Sequence, residues 1–338
     1  MKFYLMKKKI IIVFALLLIT LAILNYRIPF FHEIGGAWSI GYNFSEKFPD
    51  NIKIEKNKIF SVEDLKRVSD STQFLADPFF IKEKDSFYIF FEHKKIKKHP
   101  AEIGLLTSKD GEKYTYKGTV LKQNFHLSYP QVFKYKNNFY MLPETQGGNN
   151  VILYKASNFP YDWKVEDTLI ANIKLKDPTI FLSDTLNIIA ATDSNTNLFI
   201  YTSKSLNGKW ELHKKPIAMI GTEARPGGRF FKDSKGLILP IQNSKLGYGS
   251  GLSLYRFQFK NNTYSIEKIK HLFLSKNKSF KEFNYGMHHI DIQKVDDKYY
   301  YVYDGNRLEN NDKKFNIKRS LKANYYDLKN WTFQTILK

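Results

Sequence analysis

Four stretches recurring about every fifty residues put a polar or aromatic residue directly before proline: Ala76-Asp77-Pro78, Ser128-Tyr129-Pro130, Lys176-Asp177-Pro178 and Ala224-Arg225-Pro226. A fifth, Met287-His288-His289, aligns with them without the proline. Each precedes an apolar segment ending in a carboxylate or amide, namely Glu92, Glu144, Asp193, Gln242 and Asp304. Cleaving or transferring a glycosidic bond needs two carboxyl groups on opposite sides of the anomeric carbon, one to protonate or activate and one to assist attack. Asp77, Asp177 and Glu223 are the candidates for that work, with Glu144 as a substitute acid. Glu92, His93, Tyr129, Arg225, Gln242, His288, His289 and Asp304 are the candidates for holding sugar hydroxyls. Asp before Pro also opens turns, its side chain accepting a bond from the backbone two residues on. One such pair would therefore mean only a turn, and the recurrence at equivalent places is what points to a site. The histidines offer metal-ligand atoms, but at no recognisable ligand spacing, so neither a metal nor a cofactor is expected. Trp38, Tyr129 and Tyr248 could stack on sugar rings, in a chain whose 22 Tyr and 28 Phe mostly serve a core.

The elements that carry these residues repeat. Each unit has a short apolar strand, a polar turn such as Lys82-Glu83-Lys84-Asp85 or Lys136-Asn137-Asn138, and an aromatic strand such as Phe87-Tyr88-Ile89-Phe90-Phe91. That is a hairpin by its turn chemistry. A third strand follows in four units (103–107, 151–155, 198–202 and 252–257), and Trp163 and Trp210 mark a fourth strand in units two and three. Pro78, Pro130, Pro178 and Pro226 recur at intervals of about fifty residues, the length of a four-stranded propeller blade. The reading is an all-β, five-bladed β-propeller preceded by a single transmembrane helix. The longer last interval suggests an insertion near 261–283. Gly36 to Tyr42 resembles a third strand and is expected to complete blade five, because an open propeller edge invites aggregation. In such a ring the residues ahead of each X-Pro converge on the axis.

At the N-terminus, Lys7-Lys8-Lys9 precedes an apolar run from Ile10 to Leu24, interrupted only by Thr20. Apolar residues at 3–5 and 28–31 can lengthen it toward the ~20 residues that cross a bilayer. Asn25-Tyr26-Arg27-Ile28-Pro29 provides no small-x-small cleavage site, so the segment reads as an uncleaved signal anchor. The expected organisation is a cytoplasmic basic tail (1–9), a transmembrane signal anchor (10–27) and a propeller (28–338). By the positive-inside rule the propeller lies on the periplasmic, extracellular or lumenal side. The 338 residues contain no cysteine, which excludes disulfides and thiolate chemistry. Their net charge of +20 suits an anionic partner, and behind an anchor nucleic acid is not that partner. The dense run 94–98 reads as a solvated loop.

Asp77-Pro78, Lys176-Asp177-Pro178 and Glu223 resemble the blade-one Asp, blade-three Asp and blade-four Glu of the five-bladed glycoside hydrolases of families 43 and 32. That resemblance implies a base or nucleophile at Asp77, a pKa-tuning or sugar-holding role for Asp177 and an acid at Glu223. A closer one covers almost everything after Trp38. Trp38-Ser39-Ile40-Gly41, Tyr129-Pro130, Met141-Leu142-Pro143-Glu144, Ala224-Arg225-Pro226-Gly227-Gly228-Arg229 and Tyr248-Gly249 resemble the N-terminal propeller domain of plant glucosamine inositolphosphorylceramide transferases and their bacterial relatives. In that family no acid is expected two residues ahead of the Arg, which makes Glu223 the weakest of the carboxylates. The resemblances imply a carbohydrate-active protein, glycosidase-like or glycosyl-transferring, acting on cell-surface glycan or glycolipid. The alternative is a non-catalytic glycan-binding or assembly module that serves a partner glycosyltransferase.

Overall fold

The computed structural model describes residues 2–96, 99–194, 196–214, 216–260 and 263–336; Lys97 and Lys98 of the basic run, and Asn261 and Asn262 at the start of the expected insertion, lie outside them. Helix α1 (Lys2–Arg27) is continuous through the three lysines. Its segment Tyr4–Arg27 spans 24 residues with none of its span packed inside the protein, about 36 Å at 1.5 Å per residue and long enough to cross a hydrocarbon core of about 30 Å. The helix stops at Arg27 and Ile28 is buried, so the added length comes from the N-terminal side alone.

Five antiparallel sheets follow, one per blade. Blade one runs from its inner strand outward as Thr72–Glu83, Ser86–Lys95, Glu102–Ser108 and Thr115–Leu121. Blade two is Ser128–Tyr135, Asn138–Glu144, Val151–Asn158 and Asp162–Ile170, the last carrying Trp163. Blade three is Lys176–Phe181, Asn187–Thr192 and Asn197–Ser203, edged by the two-residue strands Glu211–Leu212 and Ile217–Ala218. Blade four is Phe231–Asp233, Gly236–Asn243, Gly251–Lys260 and Thr263–Ser275. Its long outer strand occupies most of the expected insertion. Blade five takes Ile290–Val295 and Lys298–Phe315 from the end of the chain and Phe31–Ser45 and Ile59–Phe60 from its beginning. Ile40 pairs with Asp304 and Tyr42 with Val302, so the N-terminal strand closes the ring as the third strand of the last blade.

The second strands are apolar without polar alternation because both their faces are covered. Phe87, Ile89 and Phe91 point into the seam with blade five, while Phe90 points into the seam with blade two. Each of the five seams holds one such hydrophobic cluster. Besides α1, two further α-helices among the described residues lie outside the blades: α2 (Val62–Lys66), opened by a Ser61–Asp64 capping box, and α3 (Ile317–Ile336), a C-terminal helix within the stretch read as propeller.

Candidate functional site

In the first three blades the inner strand breaks at its X-Pro. The pairing register skips between Ala76 and Phe79, Ser128 and Gln131, and Lys176 and Thr179. Asp77, Tyr129 and Asp177 sit there at φ 52°, 51° and 50°, the left-handed region that side chains other than glycine seldom enter. Proline has no N–H for the ladder, so the strand bulges, and the bulge re-aims the side chain before it. Neither aspartate caps a turn. Each of the three equivalent strained positions costs on the order of 1 kcal/mol or more, and at Asp77 and Asp177 the neighbouring blade captures the backbone. The Asp77 N–H donates to Asp304 Oδ2 at 2.9 Å and the Asp177 N–H to Glu144 Oε2 at 3.0 Å. A carboxylate ending one blade's second strand thus latches the first position of the next.

Two charge groups result at one mouth of the axis. In the first, Arg225 donates to both oxygens of Asp177, Nε to Oδ2 at 2.6 Å and Nη2 to Oδ1 at 2.9 Å, and Gln242 Nε2 adds a bond to Oδ2 at 3.0 Å. Glu144 Oε2 is 3.6 Å from Arg225 Nη2. Burial and the charge of Asp177 push the Glu144 carboxyl up to about 8, against the pull of Arg225. In the second, Asp304 Oδ1 faces His288 Nδ1 at 2.8 Å and accepts the backbone N–H groups of His288 and His289. Burial works against ionisation of Asp304, yet His288 holds its pKa below the ordinary range. Asp77 is the reverse case: burial first, then the charges of Asp304, Glu92 and Asp177, raise it well above that range. Asp77 Oδ1 is buried without a hydrogen-bond partner, 3.8 Å from His288 Nε2 and from His289 Nδ1.

The rim is aromatic and basic. Tyr248 is 55% exposed, its hydroxyl 3.3 Å from His288 Nε2 and its ring under the Arg225 guanidinium at 5.7 Å. Trp38 packs on the His288 ring at 4.2 Å and is nearly buried, so it props the histidine, while the Tyr248 ring stands open to solvent. His126 Nε2 stands 3.1 Å from Glu92 Oε1. Although burial opposes it, the bond to Glu92 raises the His126 pKa. Sequence reasoning passed over His126, because a lone histidine in a polar loop carries no periodic signal. Asp77, His288 and Asp304 each offer a ligand atom within 4.8 Å of the others, a spacing a cation accepts once the carboxyls are ionised.

Four candidates lie elsewhere. Glu223 is buried inside blade four, bonded to Asn243, Ser253 and Tyr255, with Lys268 Nζ at 2.6 Å and His271 Nδ1 at 3.5 Å. Two residues before Arg225, it faces away from the axis and touches none of the axial carboxylates. His93 alternates with Glu92 along its strand and therefore points into blade one, against Thr72 Oγ1 at 2.9 Å and the Tyr116 hydroxyl at 3.2 Å. Burial lowers its pKa to about 4. Tyr129 and His289 form the floor beneath the mouth. The Tyr129 hydroxyl accepts the Gly228 N–H at 2.7 Å and lies 2.7 Å from Thr179 Oγ1, while His289 Nε2 faces the Pro78 carbonyl at 2.9 Å. Below them Arg229, paired with Asp291 at 2.8 Å, plugs the channel. Asp193 holds its own turn by accepting from the Asn197 backbone and side chain.

A five-bladed propeller with carboxylates gathered at one mouth of its axis has the fold of the glycoside hydrolase propellers. Bacteroides ovatus Xyloglucan PUL GH43B superposes with a TM-score of 0.52 over 68% of this chain and 47% of its own, at 16% identity, a likeness of fold alone. Residues 36–306 match the family described as "Glucosamine inositolphosphorylceramide transferase 1, N-terminal", and the chain belongs to that family. It is 33% identical over 255 residues to "Glucosamine inositolphosphorylceramide transferase 1" of Oryza sativa subsp. japonica, covering 71% of this chain and 34% of the rice protein. The Arabidopsis thaliana protein of that name is 29% identical over 255 residues, covering 71% and 33%. The chain spans about a third of the length of the curated relatives it matches.

Proposed function

We propose that the chain is a membrane-anchored carbohydrate-active enzyme that handles a lipid-borne glycan at the axial mouth, with Asp77 and Glu144 as the reacting pair. The observation that carries this is the buried, unpartnered Asp77 Oδ1, which has the charges of Asp177 and Arg225 as neighbours in common with Glu144, whose carboxyl is pushed up to about 8. In glycoside cleavage or transfer, Glu144 gives its proton to the departing sugar oxygen as the C–O bond breaks. The Asp77 carboxyl, whose raised pKa makes it a strong base once it is ionised, takes the proton of the incoming water or hydroxyl as the new bond forms. Arg225 and Gln242 hold Asp177 as a charged wall, and Tyr248 supplies a ring face. A cleft of about 170 Å³ beside Arg225, Gln242 and Tyr248 is also lined by Gly221, Thr222 and Ser244. Gly221 and Ser244 bond to α3, which in turn bonds to the end of α1, so the mouth opens beside the base of the apolar helix. The names of the relatives supply the substrate class, a sugar carried on a lipid.

A second reading, a glycan-binding module that presents a sugar to a partner glycosyltransferase, is favoured by one observation. Both Asp177 oxygens are engaged and Glu223 is turned away, leaving fewer free carboxylates than hydrolysis in related folds employs. Full-length chain in lipid nanodiscs, offered lipid-linked oligosaccharides, separates the two. On the enzyme reading Glu144→Gln and Asp77→Asn each lower kcat by about 10²–10⁴ with KM little changed. On the binding reading the native chain shows no turnover, and Asp77→Asn weakens affinity. A native chain that neither binds nor turns over any such glycan sinks both.

A further inference from the structure

Helix α3 is amphipathic in the sense opposite to a helix on a water-soluble domain. The face it turns to the protein is small and polar: Ser320, Ala323, Asn324 and Asp327, spaced i, i+3, i+4 and i+7. Asn324 and Asp327 accept from the two Nη atoms of Arg27 at 2.8 and 2.9 Å, and Asp327 also accepts the Gly221 N–H at 2.6 Å. The contact with blade four is so close that a Cβ on Gly221 would stand 2.4 Å from the Ala323 carbonyl oxygen. The outward face is the apolar one, with Leu321 44%, Tyr325 61% and Leu328 60% exposed. Exposed Lys318, Lys322 and Lys329 flank them, Lys322 Nζ also reaching the Ser194 carbonyl. A helix seated on a globular core buries its apolar stripe; this one presents it.

The position of α3 says what meets that stripe. Among the described residues, the hydrogen bonds from α3 and the Asn316 before it to the N-terminal segment fall between Leu24 and Phe30: Ser320 on the Leu24 carbonyl, Arg27 on Asn324 and Asp327, Arg319 on the Pro29 carbonyl and the Asn316 N–H on the Phe30 carbonyl. Residues 316 to 327 therefore cross the end of α1 instead of running back along it. That end is where the apolar stretch gives way to Asn25, Tyr26 and Arg27. Phe315, just before α3, packs on Phe31 at 5.0 Å, and both rings are more than half exposed.

We propose that α3 lies in the membrane–water interface, with Leu321, Tyr325 and Leu328 at the headgroup–acyl boundary and its lysines among anionic lipid phosphates. A basic helix with an outward Leu/Tyr stripe has the composition that seats helices at that depth. Crossing the point where α1 emerges puts it at the right level. The inference rests on α1 spanning the bilayer. A second attachment stops the propeller from swivelling about the anchor and holds the axial mouth close to the lipid surface.

The absence of cysteine from the sequence makes the test direct. Tyr325→Cys in the full chain is labelled with an environment-sensitive fluorophore, in nanodiscs containing one copy and either phosphatidylcholine alone or phosphatidylcholine with phosphatidylglycerol. Asp297→Cys, on an exposed turn at the far end of blade five from Asp304, is the reference. The expected result is blue-shifted emission at position 325, quenching by lipids spin-labelled near the headgroup, and iodide quenching severalfold below that at 297. The effect should be larger with the anionic lipid and reduced by Lys318→Glu combined with Lys329→Glu. Equal iodide access at both positions overturns the proposal, as does shielding that appears only with two copies per disc or only when another protein is added. A chain that fails to enter nanodiscs at all defeats the α1 anchor itself, a separate result.

Discussion

Arg225 lays its guanidinium along both oxygens of Asp177, at 2.6 and 2.9 Å, while Glu144 waits 3.6 Å away. The Asp177 side chain is wholly buried and that of Arg225 is 28% exposed, so the arginine is the cation that lets two carboxyls share one depression. Arg225→Met should cost about 3 kcal/mol in urea unfolding, because it strands a buried charge. Combining it with Asp177→Asn should recover most of the loss. Arg225→Lys should not restore the native value, since an ammonium cannot make the planar two-bond clamp. An Arg225→Met chain as stable as the native one would show that the clamp does not hold the ring.

Glu223 and Asp77 should part company when each is neutralised. Glu223→Gln removes the charge that Lys268 approaches at 2.6 Å inside blade four. It should lower the melting temperature while leaving glycan binding or turnover intact. Asp77→Asn keeps the shape of the mouth and should leave the melting temperature near native while abolishing that activity. Loss of activity without loss of stability in Glu223→Gln would return Glu223 to the site.

Stability should depend on pH from two sides. The Glu144 carboxyl is raised from 4.5 to about 8 in the folded chain, so the fold retains a proton that the unfolded chain releases. Its contribution is full below pH about 4.5 and is lost as pH rises through about 8. His93 is lowered from 6.5 to about 4, so its contribution is present above pH about 6.5 and lost as pH falls through about 4. Urea midpoints across this range should fall less steeply on the alkaline side in Glu144→Gln and on the acid side in His93→Gln. Unaltered slopes in both variants would assign the pH dependence to other groups.

Orientation is open to a protection assay. With Lys7 to Lys9 held in the cytoplasm, protease added outside spheroplasts should digest the chain beyond Arg27 and spare only a short N-terminal fragment. Protection of the whole propeller would reverse the orientation.

The five blades were legible because the repeat is written in local chemistry. X-Pro, a polar turn and an aromatic strand recur about every fifty residues, and the seams on both faces of each second strand demand an unbroken apolar run. Ring closure was legible too, from Trp38 to Tyr42, because a third-strand pattern with no earlier hairpin to join must pair with the last one. α3 was not. Its Tyr, Trp, Phe, Thr and Ile residues match strand composition, and it is held by Arg27, Gly221 and Ser244, partners that lie far away in sequence.

Sequence by itself determined that Asp77, Tyr129 and Asp177 occupy equivalent places, since a bulge before proline is a local event. Only the tertiary structure decided what each does there, because the three side chains enter different surroundings. Asp177 meets Arg225, Tyr129 reaches across the axis to Gly228, and Asp77 is left with an oxygen that nothing bonds. It also decided between the two glutamates. Glu144 ends a strand at the axis, where burial beside Asp177 keeps it protonated, while Glu223 rotates into blade four to meet Lys268 and Tyr255. A carboxyl group's chemistry is set by the charges and solvent around it, and folding brings those neighbours from other blades.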